Sequence, residues 1–125
     1  MIMTEKGILP IGVEFAGGMH REFEIREQLV LDAVEVFESV DREAIKRAEE
    51  NTYFYNVAVT GRRIVKLGEI PPSAITLDLV LNMHQKDFNE IALADKRLEE
   101  RRAAFRDAPP QVQGDKTEAT FPGQG

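Results

Sequence analysis

Apolar and polar residues alternate with period two in two short stretches near the start of the chain. In ILPIGVEF, Ile11, Val13 and Phe15 alternate with Gly12 and Glu14, and in HREFEI, Phe23 and Ile25 alternate with Glu22 and Glu24. Such alternation marks strands with one buried face. Between them, Ala16-Gly17-Gly18-Met19 supplies residues that accept positive φ, as a tight connection requires, so the pattern predicts a β-hairpin. A hairpin is marginal by itself in water, and its apolar face needs a cover.

The period then changes. From Gln28 no glycine or proline occurs until Gly61, and Leu29, Val30, Ala33, Val36, Phe37 and Val40 recur at spacings of three and four. That spacing predicts an amphipathic helix that covers the hairpin. Ser39-Val40-Asp41 offers capping side chains for a second helix beginning at Arg42-Glu43-Ala44-Ile45, where Glu43 can pair with Lys46 and Arg47. The stretch NTYFYNVAVTGRRIVKLGEI reads two ways: Val57 and Val59 alternate like a strand, while Tyr53, Val57, Ile64 and Leu67 space like a helix. Its length favours a helix, closed at Gly68 just past the cations Arg63 and Lys66.

Pro71-Pro72 forces an extended break. Ser73 or Thr76 can cap a short helix through ITLDLVLNM, and Asp87, Phe88, Ile91, Ala92, Ala94, Leu98 and Phe105 describe one long helix with a charged outer face at KRLEERR. From Asp107 the chain reads APPQVQGDKTEATFPGQG, with Val112 and Phe121 as its large apolar residues, too few to offset the entropy of ordering it. The expected fold class is α+β, an N-terminal β-hairpin packed on a small bundle of about three to four helices. One domain over residues 1–106 and a disordered Pro/Gly-rich tail over 107–125 complete the expectation.

Composition narrows the function. At 125 residues and 42 % hydrophobic content the chain fits one modest core. A net charge of −6 and a pI near 5.0 oppose attraction to nucleic-acid backbones and to anionic lipid. The absence of cysteine excludes disulfides, thiolate metal sites and thiol nucleophiles. Glu5 and Lys6 interrupt the N-terminus before a signal-peptide core can form, which predicts a protein that stays in the cytoplasm where it is made. The longest run without an acid or base is the eleven residues Asn51 to Gly61, against the roughly 20 apolar residues of a membrane-spanning helix.

Candidate chemistry is sparse. His84, Asp87 and Glu90 could place an imidazole and a carboxylate on one helical face, but a His-x-x-Asp near a helix start more often caps it. His20, beside Arg21 in the second strand, reads as a solvated residue. Gly61-Arg62-Arg63 with Lys66 lacks the Lys-Ser or Lys-Thr of a phosphate loop and reads as cations at a helix end. Arg97, Arg101, Arg102 and Arg106, interleaved with Asp95, Glu99 and Glu100, read as a solvated face of mixed sign. Neither Ser39 nor Ser73 sits in a nucleophile-elbow context. The chain is therefore not expected to be an enzyme, and no cofactor or metal is expected. Phe88, Ile91, Leu98 and Phe105 form a stripe that is core by default, but its distal part is hard to bury in so small a domain. Tyr53 beside Phe54 carries the same ambiguity. The candidate partner-binding residues are Phe88, Ile91, Leu98, Phe105 and Tyr53.

Taken in order, the Leu-Pro-Ile opening, the hairpin ending in HREFEIRE, acidic helices, RRIVKLGEI, a proline connector and ITLDLVLNMHQKDFNEIALADKRLEE resemble the tail assembly chaperones (tail assembly proteins) of Mu-like and related tailed bacteriophages. The matching residues are His20 to Glu27, Arg63 to Gly68, and Leu81 through Asp87, Phe88 and Ile91, and the match spans roughly residues 8 to 105. The resemblance implies a cytoplasmic protein that binds the tape-measure protein, with the tail tube protein as a second client, and keeps them soluble until the tail polymerises. It also implies absence from the finished virion, and a longer form made by ribosomal frameshifting that replaces the tail from Asp107. Net charge and hydropathy predict no nucleic-acid or membrane partner, and a homo-oligomer stays open. Two rival readings are a minor structural tail or baseplate component retained in the particle, and a small nucleic-acid-binding regulator using Arg62, Arg63 and Lys66. A third is a metalloenzyme using His84 and Asp87.

Overall fold

The computed structural model describes residues 1–38 and 42–107. Two long strands, β1 (Thr4–Phe15) and β2 (Gly18–Arg26), pair antiparallel. The connection is Ala16-Gly17, with φ of 52° and 82°, two successive left-handed residues as a two-residue hairpin turn requires. Phe23 and Ile25 point to the core, as their alternation predicts.

The remaining elements are α1 (Val30–Phe37), α2 (Arg42–Glu50), α3 (Thr52–Arg63), β3 (Ile64–Leu67), a 3₁₀ turn at Pro72–Ala74, α4 (Leu77–Leu81) and α5 (Gln85–Asp107). The fold is α+β as expected, but with a three-stranded sheet ordered β1-β2-β3 and five α-helices among the described residues. Thr76 caps α4, its hydroxyl accepting the Leu79 amide, and Asn51 caps α3 in the same way through Phe54. Asp107, where the tail was expected to begin, closes α5; residues 108–125 and the Ser39-Val40-Asp41 cap lie outside the described residues.

The single helix expected across residues 51–68 is corrected. It ends at Arg63, and Ile64–Leu67 continues as a strand against β2, with Ile64 opposite Ile25 and Leu67 opposite Phe23. Both side chains enter the core, whereas Val65 and Lys66 are exposed. Gly68 (φ 54°) therefore ends a strand, not a helix, and lies so close to His20 that an added Cβ would collide with the His20 side chain.

β1 carries an irregularity. Ile8 pairs with Glu22 and Val13 with His20, so Leu9, Pro10, Ile11 and Gly12 together face Arg21 alone. A bulge strips backbone groups of their ladder partners, and two charged side chains replace them. Arg21 donates from Nε to the Leu9 carbonyl (2.8 Å), while the Asp87 carboxylate accepts the Ile11 and Gly12 amides (2.9 and 3.0 Å). Gly12 takes φ 107°. The bulge lets Leu9 turn fully into the core.

One core joins Leu9, Phe23 and Ile25 of the sheet to Val57, Leu67, Val80, Ile91, Ala94 and Leu98. A smaller one joins Val36 of α1, Ala44 and Ala48 of α2, and Phe54, Ala58 and Val59 of α3. Helix α5 lies along β1, fastened at both ends: Asp87 at the bulge, and further along Arg97 and Arg101 on Glu5 (3.0 and 2.7 Å) and Arg102 on Glu27 (2.6 Å).

Candidate partner interface

The residues with potential chemistry turn out to hold the fold together. Asp87 is fully buried on the two amides of the bulge, and His84 Nδ1 accepts the Lys86 amide. Among the described residues no three His, Cys, Asp or Glu side chains are grouped to hold a metal ion. His20, expected to be solvated, is instead half-buried: Nε2–H donates to the Phe15 carbonyl and Nδ1 accepts the Glu69 amide, tying β2 to the turn after β3.

The basic clusters are similarly occupied. Arg63 is buried on Asp95 and the Arg26 carbonyl, and Arg62 holds Glu35 at 2.8 Å. Of the trio proposed for nucleic acid, Lys66 alone stands in none of these pairs. The face at Arg97, Arg101, Arg102 and Arg106 is largely exposed and of mixed sign, as expected, but three of its arginines also reach acids and carbonyls of the sheet and its flanks, including the Thr4 and Met1 carbonyls. The Arg102 guanidinium, helped by the Met3 amide, holds the Glu27 carboxyl down to about 2. Glu5 is raised by burial but lowered further by Arg97 and Arg101, and ends below its ordinary value.

The five candidate partner residues separate. Ile91 and Leu98 are wholly buried in the main core and offer no surface, a correction to the expectation that the distal stripe is hard to bury: the period that aligned them with Phe105 aims them at the sheet. Phe88 is half-buried against that core and meets Tyr53 edge-on, ring centroids 6.4 Å apart. Tyr53 is 57 % exposed, its hydroxyl on Gln85, and Phe105 is 60 % exposed beneath the Arg102 guanidinium. Tyr53 and Phe105 thus remain as surface groups at opposite ends of α5.

The larger apolar surface lies on α1, which was expected to turn its apolar residues inward. Instead Val36 and Asp32 face in, while Val30 (83 % exposed), Leu31 (54 %), Val34 (40 %) and Phe37 (42 %) face out. Val30, Val34 and Phe37 fall on one stripe at spacings of four and three. Asp32 sets the rotation. Its carboxylate takes the Arg26 guanidinium on both oxygens (2.9 and 2.7 Å) and the Leu29 amide at the helix start (2.7 Å). The Arg26 contact, then the Leu29 amide, keep that carboxyl below its ordinary range despite burial. Glu35 adds the bridge to Arg62, and Phe37 stacks on Tyr55 at 5.8 Å. Behind α1 lies a cleft of about 250 Å³ lined by Val36, Ala44, Phe54, Ala58, Ile75 and Leu77. The signal that could have set the rotation was the acid in VLDAVEVF, three residues after Leu29 and six after Arg26.

No family model matches this chain, and neither a curated protein nor a solved structure gives a significant match to it.

Proposed function

We propose that this protein is a tail assembly chaperone of the kind found in Mu-like and related tailed bacteriophages, acting by binding rather than by catalysis. Its client is the tape-measure protein, with the tail tube protein as a second client, held soluble in the host cytoplasm until the tail polymerises. The resemblance of residues 8 to 105 suggests the family. The observation that carries a binding role is α1, an eight-residue helix with four large apolar side chains at least 40 % exposed, held in that orientation by the buried Asp32 paired with Arg26. Proteins rarely keep such a face without something to cover it. A long helix with its own apolar stripe, exposed before assembly, is a client of matching chemistry. Among the described residues no helix is long and apolar enough to cross a membrane.

The nucleic-acid reading loses support because Arg62 and Arg63 are engaged by Glu35 and Asp95. A component retained in the virion would use the same binding surface, and differs in where the protein ends up. Affinity purification of the tagged chain from cells expressing its neighbouring genes, with mass spectrometry of what co-elutes, tests the proposal. Recovery of a very long helix-rich protein, a frameshifted form of this chain, and absence from finished virions is the expected result. Recovery of the chain alone, or with nucleic acid, overturns it.

A further inference from the structure

Acids are dense in the stretch of sequence that holds α1 and α2. Between residues 27 and 50 the sequence carries eight acids and three bases, a surplus of five in a chain whose net charge is −6. Arg102, Arg26 and Arg62 arrive from other elements to meet Glu27, Asp32 and Glu35. Glu38 lies at the C-cap of α1, and the last turn of that helix holds no base. A helix C-terminus carries about half a unit of negative charge, so a carboxylate there is unfavourable and a cation favourable. Among the described residues no base pairs with Glu38. The exposed stripe Val30, Val34 and Phe37 thus ends beside a carboxylate at the negative end of its helix.

The geometry points to one occupant for this face: an amphipathic helix of a partner protein, with an apolar stripe at spacings of three and four and lysines or arginines where it meets the C-terminal end of α1. Helix α1 is a convex ridge about 12 Å long, the shape that packs its ridge into the groove between side-chain rows of another helix. Apolar contact supplies attraction, and the basic flank relieves the strain at Glu38 and selects against acidic helices. The inference rests on the binding role proposed above and adds the face and the charge of what it binds.

The test uses the full chain and two synthetic helical peptides of about four turns with the same apolar stripe, one flanked by lysines and one by glutamates. Fluorescence anisotropy reads binding, and amide shifts in NMR locate it. The lysine peptide is expected to bind, with shifts centred on α1, at least about tenfold more tightly than the glutamate peptide at low salt, a gap that narrows as salt screens it. Glu38→Lys should narrow or reverse that preference. Val34→Asp should cost the lysine peptide about tenfold or more, and Val30→Asp, at a position so exposed that folding is unaffected, should do likewise. Equal binding of both peptides, binding of neither, or shifts away from α1 overturns the inference. These outcomes separate from the chaperone proposal: a tape-measure client recovered without peptide selectivity removes this inference alone, whereas selective peptide binding without that client removes the phage assignment alone.

Discussion

Replacing Asp87 by Asn tests the part of the fold on which β1 depends. The carboxylate is fully buried and accepts two backbone amides, Ile11 at 2.9 Å and Gly12 at 3.0 Å, across 76 and 75 residues of chain. Asparagine has nearly the same shape but one acceptor oxygen, so its NH₂ must face an amide that has no other partner. A buried donor left unsatisfied costs about 1–3 kcal/mol. Asp87 is also the third residue of α5, where a negative charge is worth about 0.3–1 kcal/mol against the helix dipole. Together the expected loss is about 1–4 kcal/mol, a large part of the stability of a domain this size. Urea unfolding followed by far-UV circular dichroism should move the midpoint down with little change in slope. Asp87→Ala, which removes both acceptors, should lose more. A loss below about 0.5 kcal/mol for the asparagine variant, the range of ordinary surface changes, would refute the claim that this carboxylate holds the bulge.

Three further outcomes follow from particular contacts. Glu27 is held at about 2 by Arg102 and the Met3 amide, against 4.5 ordinarily. The stabilisation is therefore complete above pH 4.5 and is lost as pH falls from 4.5 towards 2; Arg102→Met should flatten the pH dependence of Tm in that window, and parallel curves would exclude the link. An added Cβ at Gly7 would lie 2.5 Å from Cζ of the buried Phe23, so Gly7→Ala should destabilise by about 1–3 kcal/mol in urea unfolding through overpacking. Phe105 is 60 % exposed, so Phe105→Asp should leave the helical signal and stability within about 0.5 kcal/mol of the parent; loss of helicity would place that ring in the core, and weaker capture of the client would place it in the interface.

Legibility in the sequence followed the distance over which each decision is made. The hairpin and α5 were visible because Phe23 and Ile25, or Ile91, Ala94 and Leu98, declare their period within a few residues, and the hairpin turn lies in consecutive residues. Thr76 was visible as a cap because its partner is three residues away. The bulge was not, since Leu9 to Gly12 gives no local sign that Asp87 will supply its acceptors. β3 escaped because four residues are too short to display alternation, and they become a strand only where Ile25 and Phe23 stand opposite. The long-range ion pairs of the α5 arginines were hidden because acids surround them in sequence, whereas Glu5 and Glu27 are brought to them by the fold.

Helix α1 shows why apolar spacing alone misassigned a face. VLDAVEVF has an apolar side at Val30, Val34 and Phe37 and an opposite side where Val36 lies among Asp32 and Glu35, and the polar residues decide which side is buried. Asp32 can be buried only where its charge is met, and Arg26, itself fixed by the end of β2 and the Arg62 carbonyl, meets it on one side. Burial of that ion pair, with Val36 beside it, turns Val30, Leu31, Val34 and Phe37 outward. The fold gains little from those outer side chains, because the helix is already held by Asp32, Val36 and the Glu35 bridge to Arg62. Polar residues there would cost the folded state little and would improve solubility. Places where a sequence departs from what its own fold asks for tend to serve something outside the fold. By that reasoning α1 is the first surface on which to look for a partner, ahead of Tyr53 and Phe105, which stand apart at the two ends of α5.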